Sequence, residues 1–175
     1  MTIIETRTEP AAPARWTVDR ERTTVEFAVR TLWGLATVRG RFDRFDGRYE
    51  IGPDGPTIEL TIDADSLDTA NATRDRHLRS GDFFHVEEHP QVRFVSTRVA
   101  DAGAGSLRVE GELAAGGGVA PLAMTASTRE HPDALELEAT ALIDPRRLGM
   151  SRGVLGMIRP PATLHVRATV VPSER

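Results

Sequence analysis

The spacing in this sequence that most directly suggests chemistry is H-x-x-E-H, formed by His85, Glu88 and His89. In a helix, this spacing presents both histidines to one zinc ion, with the glutamate beside them, as in a zinc-dependent hydrolase. Gly81 lies shortly upstream and Pro90 follows directly, so no long helix can carry the motif. We therefore expect no metal site and no catalytic residues, and we keep a zinc-dependent hydrolase only as a minor alternative.

A second polar cluster consists of Arg74, Asp75, His77 and Arg79. Because arginine binds phosphate through two donors, the cluster is a candidate for recognising a lipid head group or phosphate. The alternative is an internal network in which Arg74 or Arg79 pairs with a nearby carboxylate and anchors this segment. We favour the second interpretation, because polar clusters of this kind usually fix loops.

Other patterns typical of enzymes are missing from the sequence. It has no cysteine, no G-x-S-x-G, no P-loop and no dinucleotide-binding glycine pattern. The glycine run at residues 116–118 lies between predicted strands and not before a helix, so it predicts a hairpin turn. We therefore predict a protein that is not an enzyme and has no cofactor.

The charged residues argue against a nucleic-acid partner. All 22 basic residues are arginines, but 26 acidic residues outnumber them, for a net charge of −4. Arginines also alternate with acids, as in residues 41–46, so they form no basic face.

No segment is long and apolar enough for a membrane span, and the N-terminus lacks the pattern of a secretory signal. We predict a cytoplasmic protein.

The polar residues must be positioned by strands, because apolar and polar residues alternate along most of the chain. The alternation is clear at residues 24–29, 58–63, 107–112 and 164–169, and turn-forming residues separate such runs. About eight such strands with short connections predict an all-β fold, either an up-and-down barrel or a sandwich, and closure into a barrel removes exposed strand edges. A barrel of this size can hold one small apolar ligand.

Two stretches interrupt the alternation and predict short helical excursions between strands. They are residues 66–90, where Thr73 is a candidate N-cap for a short helix, and residues 145–161. The length suits one domain. We predict a flexible tail at residues 1–14 and the barrel domain at residues 15–173.

Residues 66–96 contain the motifs S-L-D-T, R-D, H-L-R-S, D-F-F and H-P in that order. In this block above all, the chain resembles the YceI-like family of polyisoprenoid-binding, lipocalin-like proteins. Residues 16–19, 25–27 and 38–47 resemble the family's opening, and residues 143–150 its late I-D…G signature. The resemblance implies an elongated, antiparallel eight-stranded lipocalin-like barrel around an apolar tunnel for a long isoprenoid, a quinone or a similar amphiphilic lipid. Some relatives pair into dimers, so a homodimer is possible.

The residues expected to line the tunnel are apolar residues assigned to the inward face or to the barrel mouth. A lipid chain gains about 0.8 kcal/mol for each CH₂ group that it buries, so such a wall needs few polar groups. The predicted lining consists of Phe27, Val29, Trp33, Val38, Phe42, Phe45, Ile58, Leu60, Ile62, Phe83, Phe84, Phe94, Leu107, Leu113, Met124, Leu137, Leu142, Met150, Leu155 and Met157.

We accordingly expect non-enzymatic binding, storage or transport of such a lipid, with a hydrophobic small molecule as partner. The main alternative is a structural or regulatory interaction module whose barrel is filled by its own side chains.

Overall fold

The computed structural model describes residues 14–31, 35–150 and 158–173. Within these residues, the chain forms eleven strands, one α-helix and three short 3₁₀ turns. The strands are β1 (Ala14–Val18), β2 (Thr24–Thr31), β3 (Ala36–Phe42), β4 (Phe45–Gly52), β5 (Gly55–Asp63), β6 (Leu67–Asp68), β7 (Gln91–Gly103), β8 (Ser106–Ala115), β9 (Gly118–Glu130), β10 (Leu135–Ile143) and β11 (Ile158–Pro172). The helix is α1 (Ala72–Arg79), and the 3₁₀ turns are Arg20–Arg22, Ala64–Ser66 and Pro145–Leu148.

The strands close into a barrel. β1 pairs with β4 on one side and with β11 on the other, and β5, β7, β8, β9 and β10 complete the ring. All neighbouring strands in this ring of eight are antiparallel. The predicted antiparallel eight-stranded barrel is thereby confirmed.

The three remaining strands continue strands of the ring across short breaks. β1 and β2 both pair with β11, with Val18 opposite Val170 and Thr24 opposite Arg167, so they act as one interrupted strand. Asp19 causes this break, because its side chain accepts a hydrogen bond from the backbone N–H of Glu21 at 3.0 Å and caps a 3₁₀ turn. In the same way, β3 precedes β4 and β6 follows β5, which lengthens the wall at one end of the barrel.

The alternation in the sequence corresponds to the two faces of the wall. In β2, Val25 and Val29 are buried whereas Glu26 is exposed, as expected for a strand with one face toward the core. The largest fully buried side chains come from strands or strand ends distributed around the barrel: Ile62, Leu67, Val25, Val109 and Val170. The core therefore lies inside the ring.

The helix begins two residues earlier than the sequence predicted. Asn71 is the N-cap, and its side-chain oxygen accepts a hydrogen bond from the backbone N–H of Arg74 at 3.0 Å. The assignment of Thr73 as the cap was wrong, because Asn71 already satisfies the helix's first donors from an extended backbone. None of the helical segments in residues 14–31, 35–150 and 158–173 has the length and apolar character needed to cross a membrane.

Candidate ligand-binding cavity

The ring encloses an apolar cavity of about 100 Å³, which we call the inner cavity. Four alanines contribute to its wall, and their short side chains leave space that larger residues would occupy. The residues that line it are Val18, Arg48, Tyr49, Ile58, Glu59, Leu60, Ile62, Phe94, Val109, Leu113, Leu122, Met124, Ala126, Leu137, Ala139, Ala141, Leu164, Val166, Ala168 and Val170.

A second apolar cavity, of about 110 Å³, lies toward one end of the barrel, and we call it the end cavity. Strands form part of its wall, and the rest comes from residues 69–90 and 144–150, which we call the capping segments. Phe84 of a capping segment packs edge-on against Phe42 of β3, with ring centroids 5.8 Å apart. The residues that line it are Phe27, Val29, Phe42, Ile62, Leu78, Phe83, Phe84, Val92, Leu113, Ala115, Ile143, Pro145, Leu148, Met150, Ala162, Thr163 and Leu164.

The two cavities are neighbours, because Ile62, Leu113 and Leu164 line both of them. These three shared side chains are aliphatic, so they place no polar group between the two cavities. The barrel interior is thus an apolar column that is partly filled by its own side chains and partly empty.

Most of the predicted lining residues border one of these two cavities. In the inner cavity these are Ile58, Leu60, Phe94, Met124 and Leu137; in the end cavity, Phe27, Val29, Phe42, Phe83, Phe84 and Met150; and in both, Ile62 and Leu113. Val38, Phe45 and Leu107 are buried or half-buried but border neither of them. Trp33, Leu155 and Met157 lie outside the described residues.

Leu142 was wrongly predicted to face inward. Its side chain is 64% exposed, because the alternation of β10 continues through Ala139 and Ala141, which face the inner cavity. Leu142 therefore lies on the outer face of the wall.

Several lining residues were missed, and they have different signals in the sequence. Leu164, Val166 and Ala168 lie in a run whose alternation is visible, so the pattern was sufficient to find them. Val18 and Tyr49 lie in short strands that the closure of the barrel brings together.

Burial raises the pKa of the Tyr49 phenol above its ordinary value of 10.0, and the charge of Glu130 adds to this effect, so the phenol stays neutral in the wall.

Arg74 and Asp75 bind the residue that follows β6. Nε of Arg74 donates to Oγ1 of Thr69, and an Nη donates to the Thr69 carbonyl oxygen, both at 2.7 Å. Oδ1 of Asp75, which is buried, accepts from the backbone N–H of Thr69 at 3.0 Å and also from its hydroxyl. These bonds attach the start of α1 to the end of β6.

Arg79 makes the corresponding contacts from the other end of α1. It donates to the carbonyl oxygens of Leu67 at 2.7 Å and Asp65 at 3.0 Å, and it pairs with the Asp65 carboxylate. His77 instead lies at the surface, with Nε2 3.3 Å from Oδ2 of Asp82. The cluster thus has the contacts of a loop anchor, although Arg74 pairs with a threonine and not with a carboxylate. A head-group role for these residues stays a prediction.

The fold and its interior define a class: a closed antiparallel β-barrel of eight strands with an apolar cavity, the architecture of small ligand-holding barrels. The model of the YceI-like domain family matches residues 16–170. The chain belongs to the YceI-like family, which confirms the resemblance seen in residues 66–96.

Solved structures show the same fold at low sequence identity. BcnA from Burkholderia cenocepacia aligns with a TM-score of 0.79 and 17% identity, over 87% of this chain and 98% of that one. A polyisoprenoid binding domain from Saccharophagus degradans aligns with a TM-score of 0.70 and 16% identity, over 90% of this chain and 98% of that one.

Curated relatives are closer in sequence but are matched over part of their length. A UPF0312 protein from Shewanella denitrificans is 40% identical over 108 residues, which are 59% of this chain and 56% of that protein. A UPF0312 protein from Pseudomonas aeruginosa is 36% identical over 121 residues, 66% of this chain and 62% of that protein.

Proposed function

We propose that this protein binds a long-chain isoprenoid, a quinone or a similar amphiphilic lipid and serves, without catalysis, as its carrier or store. The observation that carries the proposal is the pair of adjoining apolar cavities inside a closed barrel. Each CH₂ group that moves from water into such a space contributes about 0.8 kcal/mol, so a long hydrocarbon chain can bind without polar contacts along its length.

Among the described residues, Arg48 and Glu59 are the charged ones that line the inner cavity, and they do not make it polar. They belong to adjacent strands, and Nη2 of Arg48 bonds to Oε2 of Glu59. More than half of the Arg48 side chain is exposed, which places the pair toward solvent. The pairing lowers the pKa of Glu59, chiefly through the hydrogen bond from Arg48, and each of the two charges is paired with the other. A hydrocarbon guest therefore meets aliphatic and aromatic groups in the cavity itself.

The sizes of the cavities indicate how a long guest would be accommodated. An apolar cavity of about 150 Å³ holds a molecule of the size of benzene, so each cavity by itself suits a short apolar group. A long chain requires the inner and end cavities to join. Rotation of Ile62, Leu113 and Leu164, which border both, would connect them, and we propose that the lipid drives this rearrangement.

We propose that the lipid enters at the end cavity. Phe83, Phe84, Leu148 and Met150 close that end, and all four belong to the capping segments. Moving these side chains breaks no ladder between strands, whereas opening the wall elsewhere would break several backbone hydrogen bonds at once. The polyisoprenoid binding domain from S. degradans, which shares the fold, supports the choice of an isoprenoid.

Native mass spectrometry of the delipidated protein tests the proposal, with octaprenol, a ubiquinone and the short alcohol farnesol as probes. We expect one octaprenol or ubiquinone per chain, and weaker binding of farnesol because it buries fewer CH₂ groups. Absence of any adduct with octaprenol and ubiquinone would contradict lipid binding. Equal affinity for octaprenol and farnesol would contradict the joining of the two cavities.

A further inference from the structure

The segment after α1 folds into a tight turn that brings two histidines and a glutamate together. The backbone N–H groups of Glu88 and His89 both donate to the carbonyl oxygen of His85, at 3.1 and 2.8 Å. This is the hydrogen bonding of a single helical turn, in which residues three and four apart lie on one side. The turn therefore brings these side chains together although no long helix carries the motif.

The potential ligand atoms are already close to one another. One ring nitrogen from each histidine and one carboxylate oxygen of Glu88 all lie within 4.8 Å of one another. Nδ1 of His85 is 3.7 Å from Oε2 of Glu88, and the two imidazole rings have centroids 5.8 Å apart. Ligands about 2.1 Å from a tetrahedral zinc ion are about 3.4 Å apart, so no pair has to approach by more than about 1.4 Å. Side-chain rotation supplies such a movement.

The backbone of this turn is held in place by its neighbours. The N–H of His85 donates to the carbonyl oxygen of Ser80 at 2.9 Å, and the N–H of Val86 donates to that of Arg79 at 3.1 Å. On the other side, the ring of His89 packs against Gly117 in the turn between β8 and β9. An ion would therefore find two of its ligands on a backbone that needs no reorganisation, which lowers the entropic cost of binding.

We propose that His85, Glu88 and His89 bind one divalent transition-metal ion of the zinc class. Two imidazole nitrogens and one carboxylate oxygen are the donors that zinc accepts, whereas magnesium and calcium prefer sites made of oxygen. The side chains of His85 and Glu88 are 35% and 69% exposed, so the ion enters from solvent and keeps a water molecule as a further ligand. The site lies beside Phe83 and Phe84 but is separate from the apolar cavities.

Titration calorimetry with zinc chloride, on the full chain without a histidine tag, tests this site. We expect one zinc ion per chain and no competition from magnesium chloride. His85→Asn and His89→Gln are each expected to reduce the affinity at least tenfold, since even outer partners of metal ligands contribute about that much. Asparagine suits position 85 because the backbone φ of 47° there is one that it tolerates.

His131→Asn is the matched control, because His131 pairs with Glu136 at 3.3 Å and has a similar exposure, 39%, but belongs to no group of three ligands in the described structure. It is expected to leave zinc binding unchanged. Zinc binding that survives in both His85→Asn and His89→Gln, or that is lost equally in His131→Asn, would overturn the proposal. Should a variant unfold, imidazole ¹⁵N spectra of the unaltered protein decide: zinc must shift the signals of His85 and His89 and leave those of His131 in place.

Discussion

The barrel wall and the capping segments are held by different kinds of interaction. In the wall, long antiparallel ladders such as the one between β8 and β9 distribute the stabilising interactions over many backbone hydrogen bonds. The main attachment of α1 depends on a few side chains, chiefly Arg74, Asp75 and Arg79, each bonded to the backbone of residues 65–69. Single polar substitutions should therefore matter far more in the capping segments than on the outside of the wall.

The largest effect is expected from Asp75→Ala. It leaves the backbone N–H and the hydroxyl of Thr69 without their acceptor in a buried place, at a cost of about 3 kcal/mol in the free energy of unfolding. Urea denaturation followed by circular dichroism measures this loss. Asp75→Asn keeps an acceptor oxygen and should recover part of it.

Asp82→Ala is the control for that substitution, because Asp82 pairs with His77 at the surface of the same segment. Its expected cost is below about 1 kcal/mol, as for other exposed pairs. If both alanine variants lose the same stability, the capping segments do not depend on buried anchors and the contrast with the wall is wrong.

Gly118→Ala tests the contact between the wall and the second capping segment, with a smaller expected effect of about 2 kcal/mol. A Cβ at residue 118 would overlap three backbone atoms of Leu148, and a backbone cannot rotate away as a side chain can. Thermal unfolding measures the stability. Hydrogen exchange of the Gly149 and Met150 amides, which bond to Arg146 and Pro145, reports whether the turn detaches.

Gly52→Ala is the matched control in a strand, because a Cβ there would meet only the Gly55 carbonyl oxygen, at 4.0 Å. It should be nearly neutral in stability. Unchanged amide exchange at residues 149 and 150 in the Gly118→Ala variant would show that the turn adapts to the added methyl group.

The same contrast explains how much of the fold the sequence could predict. The faces of the wall follow from alternation, as Val25 and Val29 illustrate, because one side of each strand must be buried. Turn-forming residues at Asp19 indicated a break in the chain, as observed. The sequence did not predict that the strands on either side continue one another, since local caps such as Asp19 and Asp63 are residue types common in any loop. The exact cap of α1 was missed for the same reason.

The candidate site was predictable where it repeats the strand pattern and where bulky apolar residues such as Phe83 and Phe84 interrupt that pattern. Alternation located Leu60 and Phe94. Alanines such as Ala139 carry no sequence signal of a lining role, although their small size leaves the space that forms the cavity. The turn that gathers His85 and His89 depends on hydrogen bonds to residues 79 and 80, which no pattern of spacing reveals. Whether the lining residues bind a lipid stays a prediction.

Ala139→Leu tests the empty space in the wall, with an expected tenfold loss of octaprenol affinity, about 1.4 kcal/mol. The larger side chain would occupy the inner cavity and so exclude part of the guest. Stability should change little, because the added carbons fill space and do not displace neighbours. Native mass spectrometry measures the binding.

Thr140→Leu is the control, since Thr140 is the next residue of β10 and its side chain is exposed. It should bind octaprenol as the unaltered protein does. Undiminished binding by Ala139→Leu would mean that the guest does not reach the inner cavity, and a large loss of stability would mean that the space is not available.

The smallest effect is expected from Glu59→Gln on the outside of the wall. The hydrogen bond from Arg48 lowers the pKa of Glu59 in the folded chain below its ordinary value of 4.5, so the unfolded chain binds the proton more readily. The stability that Glu59 contributes is present above pH 4.5 and is lost as the pH falls through the lowered pKa. Because the pair is partly exposed, this contribution is about 0.5 kcal/mol. Between neutral and acid pH, the urea midpoint should fall less in Glu59→Gln than in the control Glu87→Gln. Glu87 is a suitable control because it forms no ion pair among the described residues. Equal pH dependence in the two variants would mean that even this pair is too well solvated to contribute, and the wall would then owe its stability to its ladders and its apolar interior alone.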